Sequence, residues 1–277
     1  MSQPDFICIG AQKAGTTWLY EMLAQNPSIW LPPLKEVHYF DLRNAGDKAK
    51  EKRREHILKL AGRTERRGKG KGSEGEGKAE FLRRLAGDDL LTEEWYRAIF
   101  SHPDAKGRVS GEITPAYFAL DEEDIVYFRS LLPNTKVILI VREPHERNVS
   151  QVKMAAARSK RDTFSDDDWN TFLDKMVVRD RGNYARNLPL WQKHVPAEQL
   201  LILPFSEVRN NPVGLLRTIE GFIGARPHEY QAAEEQVHKT KPVIVPQWVS
   251  DKVRELSAAQ KDYLISTFGA EFYEKTR

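Results

Sequence analysis

Phe6-Ile7-Cys8-Ile9-Gly10-Ala11-Gln12-Lys13-Ala14-Gly15-Thr16-Thr17-Trp18 is the stretch from which the rest can be read. Four apolar, β-prone residues stop at Gly10, and an amphipathic run from Thr17 to Gln25 continues until Asn26-Pro27 breaks it. The order is strand, glycine loop, helix. In such a loop the free N–H groups at the helix start and the positive end of the helix dipole form an anion site without a metal, here with two hydroxyls, Thr16 and Thr17, beside them. An ordinary turn would show some of the same residues. A nucleotide triphosphatase loop places Lys-Ser/Thr directly after its second glycine, whereas Thr16 follows Gly15 and the lysine stands earlier, at Lys13. The apolar run Val137 to Val141 ends in the cation Arg142 rather than a magnesium-binding aspartate. These residues point to a ligand rich in phosphate and held without magnesium.

Working outward, Arg108 to Glu112, Lys136 to Arg142 and Leu200 to Leu203 are further strand candidates. Helical patterns cover Asp121 to Leu132, Pro144 to Arg158, Asp168 to Arg179, Tyr184 to His194, Asn211 to Ile223 and Ser250 to Phe268. Pro144 suits a first helical turn, because its fixed φ and missing N–H cost nothing there. The helix it starts is expected to carry Arg147 and Ser150 on one face. Strands alternating with helices imply an α/β fold in three layers, a central, mostly parallel sheet flanked by helices, of the P-loop-containing nucleotide-binding type.

A chain of 277 residues with 40% hydrophobic content buries one sizeable core, so a single domain over 1–277 is expected. Cys8 is the one cysteine, which forbids an internal disulfide and favours a reducing compartment. No leader or membrane span is legible, and a cytoplasmic, bacterial setting is the expectation. The net charge is only +3, which gives no reason to expect a nucleic-acid partner. Yet residues 43–72 hold twelve Lys or Arg against four Asp or Glu. A basic insertion of about 43–90 is thus grafted on an acidic body, and its middle, Gly68 to Gly77, reads as a mobile loop.

Gly-x-x-Lys-x-Gly-Thr-Thr-Trp after a strand, with Arg142 and Ser150 eight residues apart after a later strand, closely resembles the sulfotransferases that use 3′-phosphoadenosine-5′-phosphosulfate (PAPS) and release the 3′,5′-bisphosphate (PAP). The resemblance implies that Gln12, Lys13, Ala14, Gly15, Thr16, Thr17 and Trp18 hold the 5′-phosphosulfate end. Arg142 and Ser150 would hold the 3′-phosphate. An arginine fork and a hydroxyl suit a terminal phosphate, and Lys13 would meet the charge that grows on the departing phosphate oxygen. Lys239 and Lys241, in His238-Lys239-Thr240-Lys241-Pro242, stand where the family places a basic glycine loop, but the glycine is missing and surface lysines would read the same. No metal is implied.

Lys35-Glu36-Val37-His38-Tyr39-Phe40-Asp41 resembles the Lys-Glu-x-His-Phe/Tyr-Phe segment of the heparan-sulfate and bacterial carbohydrate branch, where the glutamate is the usual base. Glu36 would take the acceptor's proton, with Lys35 and His38 setting its pKa or orienting substrate, and His38 is the competing base. Glu112-Ile113-Thr114-Pro115-Ala116-Tyr117 is similar to that branch's Glu-Lys-Thr-Pro-Ala-Tyr, which makes Glu112 and Thr114 substrate-site candidates. Ile113 replaces the substrate-binding lysine there, so heparan sulfate itself is not expected as acceptor. The implied function is sulfuryl transfer to a hydroxyl or amine of a glycan, lipid headgroup or small metabolite. The basic insertion either draws an anionic glycan, a lipid or a membrane surface to the cleft, or is only a solvated face. A P-loop kinase and a non-catalytic nucleotide-binding adaptor are the alternatives.

Overall fold

The computed structural model describes residues 2–68, 73–159, 161–179, 181–234 and 243–277. Its centre is β1 (Phe6–Gly10), every residue of which is buried. Around it run β2 (Ile29–Trp30), β3 (Val109–Ile113), β4 (Lys136–Val141) and β5 (Leu200–Pro204), in the order β2-β3-β1-β4-β5. All neighbours pair in parallel. The continuous apolar runs of β1 and β4 follow from this, because helices on both faces leave a parallel strand no wet side. Gly111 lies opposite Phe6 in the register. A Cβ there would stand 2.4 Å from the Phe6 ring, so only glycine allows the two strands this aromatic.

The helices are α1 (Thr16–Leu23), α2 (Asp47–Gly68), α3 (Ser73–Leu85), α4 (Glu93–Phe100), α5 (Glu122–Leu131), α6 (Pro144–Arg158), α7 (Asp166–Arg179), α8 (Tyr184–His194), α9 (Ser206–Asn210), α10 (Pro212–Ile223) and α11 (Gln247–Glu274). Their caps were partly legible: Pro144 opens α6, and the Glu143 side chain accepts from the Glu146 N–H. Asn183 caps α8 in the same way. A main core runs from the sheet into α1, α4, α5, α8 and α10, and a second apolar cluster joins α6, α7 and α11. No helix among the described residues is long and apolar enough to cross a membrane.

Four expectations change. β2 escapes notice because two residues carry no period, and α4 and α9 fall in stretches to which no element was assigned. The last helix runs to Glu274 and absorbs a kink at Gly269, φ 84°, so a single amphipathic period does not describe it. Finally, Ser73 to Gly77 belong to α3 rather than to a loop. The glycines there disfavour a helix by about 1 kcal/mol each, but Phe81, Leu82 and Leu85 of α3 and Ile57 and Ala61 of α2 enter the main core. Packing overrides propensity. Residues 69–72 lie outside the described residues.

Candidate active site

In strand order 2-3-1-4-5 the chain leaves β1 toward β3 on one side and β4 on the other, and ligands of open α/β sheets sit at the strand C-termini of such a switch point. The loop after β1 and Arg142 after β4 flank that crevice. Gly15, φ 80°, caps α1 without a side-chain acceptor, leaving the first N–H groups of the helix to face it. A Cβ on Gly15 would press on Phe205 and Val208 at 3.3 and 3.4 Å. Arg142 donates from Nη1 to the Lys13 carbonyl at 3.1 Å, and its guanidinium carbon lies 4.7 Å from the centroid of the Phe205 ring. Arg147 donates from Nη1 to the Gln12 carbonyl at 3.2 Å. Burial, then the neighbouring charges of Arg142, Arg158 and Arg147, push the Lys13 ammonium below its ordinary pKa. Four cations crowded on one loop are a site that an anion with several charges relieves.

The second half of the site is the segment Lys35 to Asp41. Lys35 Nζ donates to Thr17 Oγ1 at 2.5 Å and stands 3.9 Å from Glu36 Oε1. One ammonium thus ties the phosphate loop to the carboxylate. His38 sits between two acids, Nδ1 2.8 Å from Asp41 Oδ2 and Nε2 3.3 Å from Glu36 Oε2. Burial lowers the His38 pKa, but the Asp41 and Glu36 hydrogen bonds outweigh it and leave the imidazole above its ordinary value. Burial raises Glu36, and the His38 hydrogen bond and charge with Lys35 outweigh that in turn, so its carboxyl ends below the usual range. Each group thus favours the charged form of the other. Lys13, Glu36 and His38 all adopt left-handed backbone angles, φ 73°, 61° and 56°, which side-chain-bearing residues rarely hold.

Glu112 and Thr114 lie behind this loop rather than on its open side. Glu112, 1% exposed, accepts from Tyr96 Oη at 2.8 Å, Thr114 Oγ1 at 2.6 Å and Tyr117 Oη at 3.3 Å. Burial lifts its carboxyl to about 7 against those three donors. Thr114 is 0% exposed and accepts from the Val37 N–H at 2.9 Å. Both are buried, and they support the loop from behind. Trp18 is also buried, its Nε1 donating to the Ala233 carbonyl at 3.0 Å. Ser150, in α6 eight residues after Arg142, is half-buried. Arg147, three residues earlier in α6 and so on the same face, is buried and reaches the Gln12 carbonyl. Lys239 and Lys241 lie outside the described residues.

The sequence alone did not single out Asp41 or Arg53. Asp41 was legible as an i+3 partner of His38; Arg53 was hidden in a basic run. Gly182 has a stated reason: a Cβ there would stand 2.0 Å from the Arg147 guanidinium. Gln12 Oε1 and Arg142 Nε are buried without a hydrogen-bond partner among the described residues. Unmatched buried polar groups beside the loop after β1 are groups that a polar ligand would satisfy.

The family model described as the Sulfotransferase family matches residues 4–229. Heparan sulfate glucosamine 3-O-sulfotransferase 3B1 of Mus musculus is 28% identical over 140 residues, 48% of this chain and 35% of that protein. Heparan sulfate glucosamine 3-O-sulfotransferase 5 of Homo sapiens is 27% identical over 237 residues, 81% of this chain and 54% of that one. The chain thus spans about a third to a half of these relatives. A sulfotransferase from Alicyclobacillus acidocaldarius superposes with a TM-score of 0.68 at 20% identity, covering 100% of both chains. A mouse sulfotransferase complexed with PAP gives 0.53 at 15%, covering 98% of this chain and 88% of that one. The likeness to solved structures shows the fold; the family match, which takes in both halves of the site, adds kinship, and the chain belongs to the sulfotransferase family.

Proposed function

We propose that this chain transfers a sulfuryl group from PAPS to a hydroxyl or amine of an acceptor, by in-line displacement with Glu36 as general base. The observation that carries the reading is the Lys35 bridge, which sets a carboxylate next to a phosphate cradle. Glu36 takes the acceptor proton as the acceptor oxygen or nitrogen bonds to sulfur and the bond from sulfur to the phosphate oxygen breaks. Lys13 and the α1 N–H groups meet the negative charge left on that oxygen, while Arg142 and Ser150 hold the 3′-phosphate. His38, held between Asp41 and Glu36, orients the base instead of replacing it. Ile113 is buried in β3, so that position offers nothing to a sulfated glucosamine, and the acceptor is a glycan of another kind, a lipid headgroup or a small metabolite.

Calorimetry with PAP and with adenosine 5′-monophosphate tests the donor half. At least tenfold tighter binding of PAP is expected, and equal binding would end the proposal. Transfer of labelled sulfur from PAPS to fractionated glycans, lipids and metabolites then identifies the acceptor.

A further inference from the structure

Glu36 needs its left-handed backbone held. For a residue with a Cβ that conformation costs roughly 1–2 kcal/mol and persists only where its surroundings enforce it. On one side the loop is fixed by hydroxyls: Thr114 Oγ1 accepts from the Val37 N–H and Tyr117 Oη from the Tyr39 N–H, each at 2.9 Å, and both hydroxyls are anchored on Glu112. On the other side stands Arg53 of α2, 6% exposed, whose Nη2 donates to the carbonyls of both Glu36 and Val37, the latter at 3.0 Å. Its charge lies among Tyr117, Asp41, Glu36 and Glu112, which favour it against the burial that disfavours it. Its neighbour Arg54 faces the other way, pairing with Glu51 and Asp88 and donating to the Ala86 and Gly87 carbonyls. Arg53 turns inward.

We propose that Arg53 is a positioning residue for the reaction: carried on α2, it clamps the Glu36 and Val37 carbonyls and so fixes the general base over the phosphate loop. The inference rests on Glu36 serving as base, and it gives the basic stretch a catalytic purpose apart from attracting anions. An alanine leaves two carbonyls unmatched and the loop free to relax toward negative φ, drawing the carboxylate away. A misplacement of about 1 Å at a reacting group lowers rates about 100-fold.

The test compares Arg53→Ala and Arg53→Lys with the parent protein. Arg53→Ala is expected to lower kcat about 100-fold and leave PAP affinity within about twofold, because Arg53 does not touch the phosphate loop. Free guanidinium ion should restore at least a tenth of the lost rate, and Arg53→Lys should fall between. An unchanged kcat, a parallel loss of PAP affinity, or no recovery with guanidinium would each overturn the inference. Where Arg53→Ala does not fold, the lysine variant decides by the same comparison. Crystal structures of the variants decide the matter even if the parent transfers no sulfuryl group, which would count against the function alone: Glu36 is expected to leave the left-handed region, and its remaining there refutes the clamp.

Discussion

Lys13 and Glu36 are made different from ordinary surface residues by what lies around each. Lys13 is half-buried in a ring of arginines, so its value to the protein is charge at one point rather than packing. Lys13→Ala is expected to cut kcat by about 10²–10³-fold while changing stability by no more than about 1 kcal/mol; steady-state rates and thermal melts check both halves. Glu36→Gln keeps the shape but cannot accept a proton, and a loss of about 10²–10⁴-fold in kcat with PAP binding preserved is expected. The pH profile carries a sharper statement. The Glu36 carboxyl is low because His38 and Lys35 outweigh its burial. The acidic limb of kcat/KM should therefore extend below the ordinary glutamate range. Removing the imidazole, as in His38→Asn, leaves burial as the larger influence, so the limb should move to higher pH. A limb that stays in place would show that another group titrates.

At the scale of elements, β3 and the turn after it supply the hub on which the base loop rests, and Glu112 is its centre. An acid whose pKa rises to about 7 on folding binds its proton more tightly in the native state than in the unfolded chain, where it is near the 4.5 of a free glutamate. The native state then carries the extra proton between those values, so stability is full at low pH and falls as pH rises from about 4.5 to 7. Glu112→Gln should flatten that slope: melting temperatures taken between pH 5 and 8 are expected to fall for the parent and change less for the variant. A parallel fall in both would place the titration elsewhere. Elements such as α6, α8, β4 and β5 were legible because a start signal or an unbroken apolar run marks each. β2 and α4 were not, since a two-residue strand and an eight-residue helix form where neighbours complete them. The same reason hid the hub. Hydroxyls of Tyr96, Thr114 and Tyr117 converge on one carboxylate through the fold, and nothing in their spacing announces it.

For the molecule as a whole, the crevice of the sheet was readable, because the glycine loop and Arg142 each follow a strand that had to be central. The α2 and α3 pair was read as a basic insertion that attracts anions or is only solvated, and there composition misled: a basic face conceals an apolar one. Ile57 and Leu82 are 0% exposed and share the main core with the sheet strands. Phe81 packs edge-on against His102, which stacks on Trp30 of β2. The pair should therefore melt with the sheet and not before it. Ile57→Ala and Phe81→Ala are each expected to cost about 2–5 kcal/mol and to lower the midpoint of one shared transition, seen alike by far-ultraviolet ellipticity and tryptophan fluorescence. Were the helices an appendage, ellipticity would drop at low temperature in these variants while the fluorescence transition kept its place, and the pair could then do nothing for the loop that carries Glu36.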